Sequence, residues 1–335
     1  MVLAAELPPA KSRALVDGLG STLLTARESI LHAQGLSPSE RKRLETVSIP
    51  ALETAKNNGA FIWHESQFSE TLAAVSDYVP PALFVHGVVE CLSKPTVGIV
   101  GTRNASPYGK ACAHKFAEAL AAQGVTVVSG GALGIDAAAH RGALAAGGST
   151  TAVLAGGIDH VYPAIHHTLF KEIRRNGCLV SQFAAGSRPN DYKFLARNVT
   201  VAALSQVLLV VQAPVRSGAL STAHAMADLG REVMVVPANI DSHDFRGSFN
   251  LLRDGATLVY HPSQVLEALG MESRARSKAV VEESALISAL GMEPTPVEKI
   301  VDGTGLSMSD VLAELTMLDL EGRVVREAGG YLLRS

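Results

Sequence analysis

Two glycine-punctuated turns constrain this chain more than any other feature. The first is Val97-Gly98-Ile99-Val100-Gly101-Thr102-Arg103-Asn104-Ala105-Ser106-Pro107, and the second is Val127-Val128-Ser129-Gly130-Gly131-Ala132-Leu133-Gly134-Ile135-Asp136. Each passes from an apolar run through small residues into a helical pattern. A loop of this kind leaves backbone N–H groups free at a helix N-terminus, where an anion is favoured. Arg103 places a fixed positive charge inside the first loop. The pattern predicts a rim that holds phosphate at the end of a parallel sheet. The plainer alternative is that these glycines only let helix and strand approach closely.

The same alternation runs from Ala60 to Tyr260. Short β-branched runs stand at Val97–Val100, Val125–Val128, Thr150–Leu154, Leu179–Ser181, Val207–Val211 and Val233–Val236. Helical stretches lie between most of them, at Tyr108–Gln123, Asp136–Ala146, Ile165–Asn176 and Thr222–Leu229. Continuous apolar strands separated by helices read as a parallel sheet buried on both faces. Its right-handed crossovers place a ligand crevice at the strand carboxyl ends. The expectation is a doubly wound α/β domain over residues 60–268.

The flanks read differently. Residues 1–59 form a helical region, with Ala14-Leu15, Leu19 and Leu23-Leu24 at helical spacing and Ser37-Pro38-Ser39-Glu40 as a helix start. Gly18-Leu19-Gly20 has the look of a helix-hairpin-helix turn. Residues 269–284 read as a polar linker. Residues 285–335 read as helix, turn, helix and hairpin, a winged-helix pattern. In it Ser307 and Asp310 have the spacing of a helix cap, and Leu312 and Leu315 are expected on one face.

The net charge of −3 hides a segregation. Residues 94–262 hold 15 Lys and Arg against 10 Asp and Glu, whereas residues 291–335 hold 4 against 8. The one basic segment is the one that carries the glycine turns, which weakens the objection that an acidic chain avoids polyanions. No apolar run is long enough for a membrane span, and no signal peptide is evident at Met1–Ala10. Cys91, Cys112 and Cys178 are odd in number, far apart and without metal spacing. The expectation is a cytoplasmic protein without metal or cofactor.

The turns do not match known nucleotide fingerprints. The first lacks Gly-Lys-Ser/Thr, and neither gives G-x-G-x-x-G. Asp136 and His140 are spaced as an acid–base couple, but no nucleophile stands near. The alternative is an acid at a helix N-terminus with a partly exposed histidine. His166 and His167, adjacent on a helix, make a poor metal site. In Phe183–Asn198, Tyr192-Lys193-Phe194 places a cation between two aromatics, followed by Arg197 and Asn198. Rings that stack on bases beside cations that meet phosphates suit single-stranded nucleic acid; a core aromatic pair is the alternative. Arg216-Ser217-Gly218-Ala219-Leu220-Ser221-Thr222 is a third polar turn at a strand end.

Taken together these residues resemble the DNA processing protein A (DprA/Smf) family. The resemblance runs through Val97–Arg103, Ser129-Gly130, Gly134–Leu144, Tyr162-Pro163, Phe194 with Arg197-Asn198, Ser217-Gly218 with Thr222-Ala223, Gly230–Val233 with Val236-Pro237, and Asp254-Gly255-Ala256. It implies a dimeric extended Rossmann domain that binds single-stranded DNA in natural transformation and helps load RecA recombinase, and it implies no enzymatic activity. By position it implies that Gly101, Thr102 and Arg103 bind a phosphate and that Lys193, Phe194 and Arg197 hold backbone and base; with the polar turns read above, the expected site also takes in Ser106, Gly130, Gly131, Asn198, Arg216, Ser217 and Gly218. The chain departs from the family pattern at Gln182 and Gln212, usually Glu, and at Leu133, Val199 and Ala238. A Rossmann-like nucleotide sensor or nucleotide N-glycosidic hydrolase, with Asp136 as its carboxylate, is the rival expectation.

Overall fold

The computed structural model describes residues 37–38, 49–64, 67–68, 70–271, 286–291, 294–320, 323–327 and 329–333. The expected helices before residue 37, the Gly18-Leu19-Gly20 turn and most of the expected linker lie outside the described residues. The chain divides into two compact units, Met1–Met271 and Glu272–Ser335.

The first unit is built on a nine-stranded sheet. Its strands are β1 (Ala60–His64), β2 (Ala82–Gly87), β3 (Thr96–Gly101), β4 (Thr126–Ser129), β5 (Thr150–Val153), β6 (Cys178–Ser181), β7 (Val207–Gln212), β8 (Glu232–Val235) and β9 (Thr257–Leu258), in the order β1-β2-β6-β5-β4-β3-β7-β8-β9. Neighbours from β6 to β9 are all parallel. β1 and β2 add an antiparallel edge that the apolar-run pattern did not show. Phe61 and Ile62 of β1 are exposed, so that edge strand lacks the continuous apolar signature of the central ones.

Helices cover both faces. α1 (Ile49–Asn57) precedes β1, and α2 (Pro107–Ala122), α3 (Ile135–Ala145), α4 (His167–Asn176), α5 (Asp191–Ala203), α6 (Gly218–Asp228), α7 (Arg246–Arg253) and α8 (Pro262–Ala268) follow in order. On one face Val97, Ile99 and Leu209 pack against Phe116, Leu120 and Ala139 of α2 and α3. On the other, Val100, Leu208 and Val210 pack against Val201, Ala223 and Met226 of α5 and α6. The chain leaves β3 toward β4, β5 and β6, then returns to β7 on the opposite side of β3. That reversal is where an open α/β sheet forms its ligand crevice.

α5 was not expected as a helix. Asn190 caps it by accepting the Lys193 amide at 3.0 Å. At its other end Arg231 Nη1 donates to the carbonyls of Ala202, Ala203 and Ser205 at 3.2, 2.8 and 2.7 Å. These interactions satisfy groups a helix end leaves open. α6 starts at Gly218, four residues before the Thr222 that the sequence pattern suggested.

Cys91 and Cys178, 87 residues apart in sequence, bring their sulfurs to 3.7 Å in the core, beside Thr151. Among the described residues no helix is long and apolar enough to cross a membrane.

The second unit contains α9 (Val297–Thr304), α10 (Met308–Leu320) and a hairpin of β10 (Val324–Glu327) with β11 (Gly330–Leu333). A bridge from Thr295 to Tyr331 adds a third extended segment, completing a winged-helix arrangement. Ser307 accepts the Asp310 amide at 3.2 Å, as a cap does. Val311, Leu315 and Leu318 face the core, whereas Leu312 is exposed and does not share that face with Leu315.

Candidate functional site

The three polar turns meet around one crevice of about 520 Å³ at the carboxyl ends of β3, β4 and β7. Gly101, Thr102 and Arg103 come from the first turn, Gly130 and Ala132 from the second, and Arg216, Ser217 and Gly218 from the third. Phe194, Arg197 and Asn198 of α5 form the remaining wall.

Backbone contacts hold the turns in register. The Thr102 amide donates to the Gln212 carbonyl at 2.8 Å, and the Ile135 amide to the Thr102 carbonyl at 3.3 Å. Gly134 caps α3 with a φ of 79°, and a Cβ there would lie 2.3 Å from the Thr102 carbonyl oxygen. Only glycine accepts both that conformation and that approach. Ser217 caps α6, its side chain accepting the Ala219 amide at 3.3 Å. Asn198 Nδ2 donates to the Gly218 carbonyl at 3.2 Å and to Ser221 Oγ at 2.7 Å, fixing α5 to the start of α6.

Arg103 and Arg216 are exposed at the rim. The Arg103 guanidinium lies over the Phe194 ring, 4.6 Å from its centre. The Tyr162 ring is tilted against Phe194 with centres 5.8 Å apart. A smaller adjoining hollow shares Arg103, Phe194 and Arg197 with the crevice and extends it toward His160, Tyr162 and Pro189.

Arg197 and Asp136 lie beneath the rim. Arg197 is 6% exposed and donates from Nη1 to the Val153 carbonyl at 3.1 Å, while its Nε has no hydrogen-bond partner. It fills the space under Gly130, where a Cβ would come within 1.7 Å of its Nη1. Asp136 accepts the Ala132 amide at 3.2 Å. Burial raises the Asp136 carboxyl above the usual range, opposed chiefly by Arg197. Burial likewise draws Arg197 below the usual guanidinium range, opposed by Asp136. The pair supports the second turn from below, and the rim above it is cationic. Asp191, exposed in the first turn of α5, is the other carboxylate lining the crevice.

Several sequence-predicted residues stand elsewhere. Tyr192, Lys193 and Phe194 do not form an interleaved face, because successive helix positions point about 100° apart. Tyr192 is exposed, Lys193 is buried and Phe194 is half-buried. Lys193 does not line the crevice; its Nζ donates to Ser187 Oγ and, at 3.2 Å, to the Arg188 carbonyl, below the Phe183 ring. Ser106 is the α2 cap: it accepts the Gly109 amide at 3.0 Å and donates to Gln212 Oε1 at 2.9 Å. Gly131 is turned toward α4, where His166 Nδ1 donates to its carbonyl at 2.9 Å. His140 is fully buried rather than partly exposed. Its Nδ1 donates to Thr150 Oγ1 at 2.7 Å, because that hydroxyl already donates to the Val127 carbonyl. His140 therefore cannot serve as an acid–base partner in the crevice.

The arrangement offers two rim guanidiniums, the N-terminal ends of α3 and α6, and an aromatic ring. That set suits an extended polyanion carrying planar groups. Among the described residues no group of three or more His, Cys, Asp or Glu is placed to hold a metal ion.

A family model described as DNA recombination-mediator protein A matches residues 60–270, and one for the DprA winged helix domain matches residues 271–330. Protein Smf of Escherichia coli is 34% identical over 329 residues, covering 94% of this chain and 86% of that protein. The X-ray structure of DNA processing protein A from Streptococcus pneumoniae superposes with a TM-score of 0.70 at 27% identity, covering 82% of this chain and 96% of that one. A structure of DNA processing protein A from Helicobacter pylori, concerned with its single-stranded DNA binding mode, gives a TM-score of 0.57 at 30% identity over 63% of this chain and 95% of that one.

Proposed function

The chain belongs to the DNA recombination-mediator protein A family, and we propose that it binds single-stranded DNA without regard to sequence, in the crevice at the ends of β3, β4 and β7. The observation that carries this reading is the convergence of Arg103, Arg216 and Phe194 on one crevice that residues of all three turns line. Contacts to phosphate carry no sequence information. Stacking on a ring tolerates every base and requires that base to be unpaired. The Helicobacter pylori neighbour, studied for single-stranded DNA binding, supports the same assignment.

In this reading Gly101, Thr102, Gly130, Ser217 and Gly218 present backbone to the strand, Arg103 and Arg216 hold phosphates, and Phe194 with Arg103 receives a base. Arg197 and Asn198 position that surface. The finer role is protection of an incoming strand during natural transformation and its transfer to RecA recombinase, in keeping with a family described as recombination mediators. The acting unit is a homodimer, for which the exposed Leu258 and Tyr260 beside edge strand β9 supply an apolar face. Binding to an unstructured strand and to a duplex of equal length tests the core of the reading. At least tenfold preference for the single strand is expected; equal affinity contradicts a stacking site.

A further inference from the structure

A separate cavity of about 360 Å³ lies along α4, between that helix and the α1–β1 and β2 edge of the sheet. Phe170, Leu179 and Ile158 give it an apolar floor. Lys171 and Arg174 stand on one face of α4, three residues apart, and form a cationic wall, with His167 one turn earlier and His86 opposite. The Arg174 guanidinium sits against the His86 ring, with Nη1 3.3 Å from both ring nitrogens. Burial and that guanidinium lower the His86 pKa.

No carboxylate of the described residues lies within ion-pair distance of Lys171 or Arg174. Asp159, the one carboxylate in the lining, accepts the Gly186 amide with both oxygens, at 2.9 and 3.0 Å. An apolar floor under unpaired cations, in a volume at the low end of the roughly 300–1,000 Å³ of small-molecule sites, fits a base with its phosphate.

One loop borders both this cavity and the hollow that adjoins the crevice. In the connection from β5 to α4, Leu154, Gly156, His160 and Tyr162 face the hollow beside Phe194, while Ile158, Asp159 and Val161 face this cavity. α4 itself supports the second glycine turn, with Phe170 against Gly131 and His166 bonded to its carbonyl.

We propose that this cavity is a second nucleotide site, with a base against Phe170 and Leu179 and its phosphate on Lys171 and Arg174, reached by the strand that leaves the crevice over the β5–α4 loop. The proposal rests on the single-strand reading of the crevice. A free nucleotide shares the same chemistry, and the test separates the two sources.

The test compares the full chain with a Lys171→Glu/Arg174→Ala variant, using oligothymidylates of about 6 and about 20 nucleotides, lengths that bracket one site and several. Both proteins are expected to bind the short strand within twofold of each other. The variant is expected to lose at least fivefold on the long strand, with a salt slope shallower by about 1.4, two phosphates at about 0.7 each. Lys171→Ser alone, at an exposed position, should show a smaller loss confined to the long strand. Thymidine monophosphate titrated into both proteins is the second arm: saturable binding by the full chain that the variant lacks supports the site and assigns it to a free nucleotide. Unchanged binding of the long strand, together with no difference in thymidine monophosphate binding, overturns the proposal. So does a loss of equal size on short and long strands by Lys171→Ser. Failure of the unaltered chain to bind the short strand overturns the crevice reading, and the strand source with it.

Discussion

The guanidinium of Arg103 rests 4.6 Å from the centre of the Phe194 ring, joining the loop after β3 to the helix after β6. A guanidinium stacked on an aromatic face keeps its N–H edge available to a phosphate while its plane is held. Arg103 and Phe194 should therefore act together in strand binding. Phe194→Ala is expected to weaken single-strand binding by about 1–3 kcal/mol, as loss of a stacking platform does. The cycle completed with Arg103→Ala should show coupling of about 0.5–1 kcal/mol. Additive losses, measured by anisotropy at fixed salt, would show that the ring does not position the cation.

Gly134 and Gly218 make a contrasting pair. A Cβ on Gly134 meets the Thr102 carbonyl at 2.3 Å from a left-handed backbone, whereas one on Gly218 meets nothing within 4 Å. Gly134→Ala should lower stability by about 1–3 kcal/mol and displace the first two turns relative to each other. Gly218→Ala should leave stability unchanged or raise it by less than about 1 kcal/mol. Thermal unfolding of the two variants checks the difference.

His140 links stability to pH. Burial holds its pKa down at about 3 from an ordinary 6.5. Between those values the unfolded chain binds a proton that the folded chain refuses. Its contribution to stability is thus complete above the unfolded value and falls with acidification, by about 1.4 kcal/mol per pH unit. At pH 5 the difference amounts to about 2 kcal/mol. Asp136, whose pKa burial raises, acts in the opposite direction. His140→Asn isolates the histidine: the variant's unfolding free energy should fall less steeply than the parent's between pH 7 and pH 5. Parallel profiles would place the histidine in water.

The second unit carries an acidic excess, with 4 Lys and Arg against 8 Asp and Glu over residues 291–335. That charge disfavours contact with phosphates. Removal of residues 285–335 should leave single-strand affinity within about twofold, since 1.4 kcal/mol corresponds to tenfold and no rim cation is lost. A tenfold loss on truncation would assign the winged helix a direct share of the strand.

The central strands were legible because β3 to β7 are buried on both faces and read as short runs rich in β-branched and apolar residues, without a polar alternation. The turns were legible because glycine and a following helix pattern mark a strand end. α5 was not, because Gly186 and Pro189 signal a turn and the Asn190 cap that restarts the helix is a single residue. Reading Tyr192, Lys193 and Phe194 as one face followed from missing that helix. The Cys91–Cys178 contact and the Arg197 support under Gly130 join distant segments, and no local pattern announces them. Gln212 accepts both the amide and the hydroxyl of Ser106, a role that sequence spacing does not reveal.

A salt titration of single-strand binding, run on the unaltered chain and on Arg103→Ala, addresses the crevice most directly. About four phosphates held per chain would give a slope of log K against log salt near −3, and loss of the one held by Arg103 should bring it to about −2, at about 0.7 per phosphate. An identical slope in the two proteins, with duplex bound as tightly as single strand, would contradict a strand held at that rim.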